Sequence, residues 1–259
     1  MLEKFFHLSA NHTTVRTELL GGTTTFFTLS YSLFVQPALL SSIGMDFGSV
    51  FVATCLASAF ATLLMGLYAN FPIALAPAMG HNFFFVFSVC GAISAGGMGL
   101  PWETALGGVF IAGLLFLIVS RAGMRGRLLQ VIPSTLTHAI PIGIGLLIAF
   151  IGFQWSGIIV AKPGVLLGIG SLTNPPVLLS ILGLLITGLL LARGNKAAIL
   201  IGLVATTTIG MVFGMVSYSG WISVPPSLEP TLLKLNFSGL LSRSGIIIIS
   251  MFFFLALFD

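Results

Sequence analysis

Long apolar stretches, each near the length needed to cross a bilayer, dominate this sequence. A helix needs about 20 apolar residues to span the hydrocarbon core. Seven stretches approach this length, at 22–44, 48–70, 101–120, 138–160, 176–193, 197–217 and 245–259. An eighth, at 72–98, is apolar but interrupted by prolines and glycines. The pattern predicts an all-α, polytopic membrane protein with seven to eight transmembrane segments.

The low content of charged residues excludes several other classes of protein. Of the 259 residues, 57% are hydrophobic and 6% are charged, whereas a soluble domain carries about 25% charged residues. A soluble enzyme, a nucleic-acid-binding protein and a disordered chain are therefore excluded. We find no nucleotide-binding glycine loop, zinc-ligand spacing or catalytic triad. We expect a protein of the lipid bilayer that is not an enzyme and needs no cofactor or metal.

Basic residues predict the orientation, because Lys and Arg concentrate in cytoplasmic loops. With the N-terminus in the cytoplasm and segment 72–98 crossing once, seven basic residues fall inside and three outside. The inner set is Lys4, Arg16, Arg121, Arg125, Arg127, Arg193 and Lys196, and the outer set is Lys162, Lys234 and Arg243. The basic connection between 121 and 137 is either a surface helix on the cytoplasmic leaflet or a plain loop.

The stretch PIALAPAMGHNFFF, residues 72–85, is the strongest local feature. Pro72 and Pro77 preclude a regular helix between them, and the sequence becomes helical again from about Ala78. Non-helical backbone at membrane depth is tolerated where protein or a water-filled cavity surrounds it, and broken helices build substrate sites in many transporters. The alternative is a proline kink in an ordinary span.

Several polar or aromatic side chains near this break are candidate binding groups. Asn82 offers two donors and an acceptor, which suits the edge of a heterocyclic base or an amide. His81 either contacts the ligand or carries a proton, or it forms a hydrogen bond between helices. Phe83 offers an aromatic face for a planar ligand or packs internally, Gly80 lies in the same turn, and Gln36 is a candidate cavity group before Pro37.

Asp259 follows the apolar run of residues 245–258. A carboxylate at bilayer depth costs about 2.5–3.5 kcal/mol on insertion scales, and such residues mark ion or proton pathways. Asp259 is therefore a candidate proton-coupling residue. The alternative is that this residue only marks where the sequence stops.

Several ordered motifs resemble one family. They are ELLGGTTTFFTLSYSLFVQPALLSSIG (18–44), VATCLASAFATLLMGLYANFPIALAPAMGHNFFF (52–85), PWETALGGVFIAGLLFLI (101–118), AIPIGIGLLIAFIGFQWSGIIV (139–160) and FFFLALFD (252–259). Together they are similar to purine permeases of the adenine/guanine/hypoxanthine type, in the xanthine/uracil permease superfamily of nucleobase–cation symporters. The resemblance covers nearly the whole chain.

The resemblance implies a fold of fourteen spans in two inverted repeats of seven, in which a core domain moves against a gate domain. Short strands in the third and tenth spans would meet at the substrate. The implied division is core spans 1–4 at 1–121, a cytoplasmic basic linker at 122–137, gate spans 5–7 at 138–217, an extracellular loop at 218–244 and the start of span 8 at 245–259. The implied function is proton-driven purine import across the bacterial inner membrane.

Two site residues carry over from the resemblance. Asn82 matches the third-span asparagine that implies purine binding. Asp259 matches the second acid of an eighth-span pattern whose first acid is here Ala256. Because Gln36 and His81 also depart from the family pattern, the choice among adenine, guanine and hypoxanthine stays open.

The length of 259 residues leaves two alternatives. The chain is expected to be the N-terminal part of a longer symporter, because the resemblance places further spans after residue 259. The alternative is a half-length membrane protein that has no transport activity alone and assembles with a partner or with itself as a homodimer.

Overall fold

Helices account for most of the described chain. The structure, a computed structural model, describes residues 3, 6, 8–123, 126, 133–162, 164–195, 197–216, 220 and 224–258. The helices are α1 (Val15–Leu29), α2 (Ser32–Ser41), α3 (Phe47–Leu67), α4 (Met79–Phe83, continued by a π-helical run, Phe84–Val89), α5 (Trp102–Arg121), α6 (Ser134–Trp155), α7 (Pro175–Ala192), α8 (Ala198–Val212) and α9 (Arg243–Phe258), with a 3₁₀ turn at Ile93–Ala95. Two strands, β1 (Ile159–Lys162) and β2 (Val165–Ile169), form an antiparallel hairpin.

Among the described residues, four helices are long and apolar enough to cross a membrane. They are Phe47–Leu67, Trp102–Arg121, His138–Trp155 and Pro175–Ala192, and shorter apolar helices lie at Met79–Val89, Ala198–Val212 and Arg243–Leu257. Their outer surfaces are apolar, as lipid-facing surfaces are. Leu184, Leu185 and Leu189 of α7, for example, are each more than half exposed. The helices confirm the prediction of a polytopic membrane protein.

The first predicted span, 22–44, is two helices rather than one. α1 begins earlier, at Val15, because Thr14 caps it: the Thr14 hydroxyl accepts a hydrogen bond from the Thr17 N–H at 3.3 Å. α1 and α2 are separated at Ser30 and Tyr31. There the Ser30 hydroxyl donates to the Phe27 carbonyl at 2.8 Å, a local bond of the kind that competes with helix continuation.

The fifth predicted span, 138–160, ends at Trp155 because the chain turns into the β hairpin. Gly157 has φ +77, a conformation that favours glycine. Ile159 pairs with Ile169 and Val160 with Gly168. The Pro-Gly pair at 163–164 between two short apolar runs is the signal that could have predicted this hairpin.

The described contacts divide the chain into two compact units. One comprises Met1–Tyr31, Ala57–Ala76 and Ala149–Val224, and the other Ser32–Leu56, Pro77–Ile148 and Pro225–Asp259. In the first unit α7 packs on α8. A methyl group added at Gly183 would collide with Thr206, and one added at Gly202 would collide with Thr187, so small residues allow the close approach, as they do between membrane helices.

In the second unit α5 packs on α9. A Cβ on Gly108 would lie 3.0 Å from the Ile248 Cγ2, and Ile248 is fully buried. The Asn236 N–H donates to the Glu103 carbonyl at 3.0 Å and ties the segment before α9 to the start of α5. This pairing gives the second unit its core.

Residues 71–78 are neither helix nor strand. The short strand expected here is therefore absent from the described residues, whereas the interruption and the half-helix after it are present. A strand needs a paired neighbour to complete its hydrogen bonds, and the sheet found among the described residues consists of β1 and β2 alone. Half of the predicted basic linker at 122–137, namely 124, 125 and 127–132, lies outside the described residues.

Candidate functional site

The site is built on the first turn of α4, in the second unit. Ala78 is the N-cap residue, with extended backbone (φ −71, ψ 106) and no side-chain cap. The Asn82 N–H donates to the Ala78 carbonyl at 3.3 Å. The N–H groups before it have no acceptor within the helix, and they give this end a partial positive charge. The half-helix that the prolines predict is confirmed, starting at Met79.

Two buried amide groups lie on the helices that meet here. α2 carries Gln36 and contacts α4, which carries Asn82. Gln36 Oε1 and Asn82 Nδ2 are both buried and have no hydrogen-bond partner among the described residues. An unsatisfied buried polar group costs about 1–3 kcal/mol, so each needs an explanation. One acceptor and one donor together complement a ligand that presents both kinds of group.

Gly80 marks a close approach between α4 and α6. A Cβ on this glycine would lie 3.0, 3.2 and 3.3 Å from three side-chain carbons of Ile144. Between His138 and Ile148 of α6, Ile140 and Ile144 are half-buried and the other residues are exposed. The two isoleucines are four residues apart and share one helix face. Ile144 thus covers the backbone of the turn that carries the site, a role that the sequence analysis did not identify.

The phenylalanines after Asn82 are engaged in packing. Phe83 is 3% exposed, and its ring lies nearly parallel to that of Phe87, with 12° between the planes and 6.2 Å between the centroids. Phe84 and Phe85 contact the ring of Phe252 on α9, at 5.4 and 6.2 Å. These contacts hold α4 against α9, and a stacking role for Phe83 stays a prediction.

The remaining predicted site residues divide into two groups. His81 lies beside Asn82 in the same turn and is half-buried. Asp259, the predicted proton-coupling residue, lies outside the described residues. The structure therefore brings together Gln36, Gly80, His81, Asn82 and Phe83 on two contacting helices, while the place of the acid relative to them stays a prediction.

Known proteins similar to this chain are permeases. The protein MJ0326 of Methanocaldococcus jannaschii is 45% identical over 259 residues, which is 100% of this chain and 58% of the relative. The adenine permease AdeP of Escherichia coli K12 is 42% identical over 259 residues (100% and 57%). The guanine/hypoxanthine permease PbuG of Bacillus subtilis 168 is 41% identical over 270 residues (100% and 60%).

The chain therefore spans less than two thirds of the length of these relatives. A family model described as "Permease family", of the xanthine/uracil type, matches residues 16–259. The match confirms the sequence-based prediction of a membrane transport protein rather than an enzyme. The chain belongs to this permease family.

Proposed function

We propose that this chain is part of a proton-coupled importer of purine nucleobases, and that Gln36 and Asn82 bind the purine. The observation that carries the proposal is the pair of buried, unpartnered amide atoms on the contacting helices α2 and α4. Relatives named as adenine and guanine/hypoxanthine permeases support the substrate class. The choice among these purines is left to experiment.

The binding chemistry follows from the two free groups. A purine presents ring N–H donors and ring nitrogen or carbonyl acceptors along one edge. Gln36 Oε1 would accept a hydrogen bond from a purine N–H, and Asn82 Nδ2 would donate to a purine nitrogen or oxygen. The positive end of α4 favours the partly negative acceptor atoms of the base. His81, Gly80 and Phe83 would shape the remainder of the pocket.

Proton coupling is assigned to Asp259, with the first acid of the family pattern replaced by Ala256. An acid at bilayer depth can bind a proton on one side of the membrane and release it on the other. We expect Asp259→Asn to abolish accumulation that depends on the proton gradient. A protonophore should have the same effect on the wild type.

The wider arrangement is also proposed from the resemblance. The spans of this chain would form one seven-span repeat and the start of a second in a fourteen-span fold, with core segments at 1–121 and 245–259 and a gate at 138–217. The protein would lie in the inner membrane with its N-terminus in the cytoplasm. The alternative is a half-length protein without transport activity alone, which would require a partner or a homodimer.

Uptake of labelled adenine, guanine and hypoxanthine into a transport-deficient bacterium tests the proposal. The protein should be expressed from its full reading frame. Asn82→Leu and Gln36→Met remove the free amides while nearly preserving side-chain volume. We expect both variants to lose at least about 90% of uptake, since each amide bonds the purine directly, and to unfold at or above the wild-type temperature, since an unsatisfied buried group is removed.

Uptake and unfolding temperature, measured together, separate a binding role of the amides from a structural one. A structural amide would lower the unfolding temperature when replaced, whereas a binding amide lowers uptake alone. Near-normal uptake in Asn82→Leu would refute its assigned role. If the wild type inserts into the membrane and takes up none of the three bases, the transport proposal itself is wrong, and crosslinking of the purified chain then tests the homodimer.

A further inference from the structure

The non-helical segment 71–78 is held against α3 by the side chain of Thr62. The Thr62 hydroxyl accepts a hydrogen bond from the Leu75 N–H at 2.9 Å and donates one to the Leu75 carbonyl at 3.3 Å. Both residues belong to the first compact unit. One hydroxyl, acting as donor and acceptor, thus satisfies both backbone groups of a residue that has no helix to satisfy them.

A chain reversal at Asn70 makes this contact possible. Asn70 has φ 53, a left-handed conformation that asparagine adopts more readily than most residues. The Phe71 N–H donates to the Met65 carbonyl at 3.1 Å and closes the end of α3. From Leu67, where α3 ends, back to Thr62 the helix covers about 8 Å, and the five residues from Asn70 to Leu75 can span up to about 16 Å. The segment therefore returns along α3 far enough for Leu75 to reach Thr62.

Several other hydroxyls on the apolar helices bond within their own helix. Thr54 donates to the Val50 carbonyl at 2.7 Å, and Ser250 donates to the Ile246 carbonyl at 2.8 Å. Such local bonds are the common arrangement for Ser and Thr in membrane helices. Thr62 instead bonds a residue 13 positions away, so its hydroxyl carries a tertiary contact.

Because water is not available in the bilayer core to replace a lost hydrogen bond, the loss of this hydroxyl would leave two groups of Leu75 unpaired. Leu75 comes three residues before the N-cap Ala78 and seven before Asn82. We propose that Thr62 is a positioning residue of the purine site: by anchoring Leu75 it restrains the backbone that leads directly into the first turn of α4 and Asn82. The role in purine binding rests on the proposed function, and the anchor does not.

Two residues of α3 provide matched controls. Thr54→Val removes a hydroxyl that bonds its own helix. Ser58 lies one turn before Thr62 on the same helix face, and its Oγ is buried without a partner among the described residues. Ser58→Ala therefore removes a buried hydroxyl that anchors nothing.

Amide hydrogen exchange of the protein in lipid nanodiscs, without purine, tests the anchor directly. Thr62→Val keeps the shape of the side chain and removes the hydroxyl. We expect it to raise exchange at Leu75 about tenfold and to raise exchange in the first turn of α4. Thr62→Ser retains the hydroxyl and should match the wild type, as should both controls.

Uptake kinetics test the positioning role. The substrate is whichever of labelled adenine, guanine and hypoxanthine the wild type transports. We expect Thr62→Val to raise the KM for that base about three- to tenfold. The reason is that a smaller fraction of the protein holds the site in its binding geometry. The number of molecules in the membrane should not change. Thr62→Ser should restore the wild-type KM.

Each result that differs from these expectations contradicts a specific part of the proposal. Wild-type exchange at Leu75 in Thr62→Val would overturn the anchor, and so would failure of Thr62→Ser to restore it. Raised exchange at Leu75 with unchanged KM would overturn the positioning role. If the wild type transports no purine while exchange in α4 responds as expected, the anchor is supported and it is the proposed function that fails.

Discussion

Gly80 and Ile144 meet where the backbone of the site is most closely covered. Three carbons of Ile144 lie within 3.3 Å of the position that a Cβ at residue 80 would occupy. Isoleucine is β-branched and has little freedom to turn away within a helix. A side chain at position 80 would therefore push the two helices apart and displace the turn that carries Asn82.

We expect Gly80→Ala to lower purine uptake at least tenfold, because overpacking of this kind costs about 1–3 kcal/mol. Combining it with Ile144→Ala should restore much of the uptake, since the second change opens the space that the methyl group needs. Gly143→Ala is the matched control, because nothing lies within 4 Å of a Cβ there. Equal losses in Gly80→Ala and Gly143→Ala, measured by initial uptake rates, would show that the contact is unimportant.

The sequence points to the polar residues of the candidate site more readily than to its apolar ones. Gln36 and Asn82 stand out because amides are rare among apolar residues, and their burial without partners agrees with that prediction without testing it. Ile144 and Thr62 could not be predicted, because isoleucine and threonine are ordinary in such helices. Their roles depend on contacts between segments distant in the sequence, which a local pattern does not reveal.

At the scale of elements, α5 and α9 depend on a glycine surface. A Cβ at Gly107 would lie 2.5 Å from the Asn236 carbonyl oxygen, which is backbone and cannot rotate away. Gly113 lies on the same helix with nothing within 4 Å of its Cβ position. The two glycines thus have the same helix propensity and opposite surroundings.

We predict that Gly107→Ala lowers the thermal unfolding temperature, with a loss of about 1–3 kcal/mol from forced displacement of backbone. Gly113→Ala should leave that temperature unchanged or raise it, because alanine favours the helix by up to about 1 kcal/mol. Fluorescence-monitored unfolding in detergent compares the pair. A similar change in both variants would contradict the packing described between α5, α9 and the preceding segment.

The break before α4 was predictable because the covalent structure of proline restricts the backbone. Pro72 and Pro77, five residues apart, disfavour a helix between them, and residues 71–78 are indeed non-helical, whereas the single prolines Pro37 and Pro141 lie inside α2 and α6. The β hairpin was missed because the start of β1 continues the apolar run of the span predicted at 138–160, and β2 lies between two predicted spans and was assigned no element. Hydropathy alone does not distinguish a strand from the end of a span, and the division between α1 and α2 has no proline or glycine to announce it.

At the scale of the whole molecule, charge predicts how the chain is threaded through the membrane. The basic residues near 121–127 are expected in the cytoplasm, and Lys162 in the β hairpin is expected outside. Membrane insertion obeys the distribution of Lys and Arg in short loops, independently of how the helices later pack. The family match supports a membrane protein and leaves this orientation as a prediction.

Reporter fusions test the orientation. Green fluorescent protein fused after residue 126 should fluoresce, and alkaline phosphatase at the same position should be inactive. After Gly164 the two results should be reversed, because that position would be periplasmic. The same result at both positions would place 126 and 164 on one side and would invalidate the predicted topology.

The π-helical run at Phe84–Val89 should allow α4 to tolerate a change in its number of residues. There the Cys90 N–H bonds the Phe85 carbonyl, five residues back, at 2.9 Å, so the turn holds one residue more than an α-helical turn. Removing a residue here would tighten the turn and leave both flanking parts in nearly the same angular phase. Removing one from α5 would rotate all that follows by about 100°. A one-residue deletion in this run should therefore displace the site less than one in α5 does, provided that it spares the packed rings of Phe84 and Phe85.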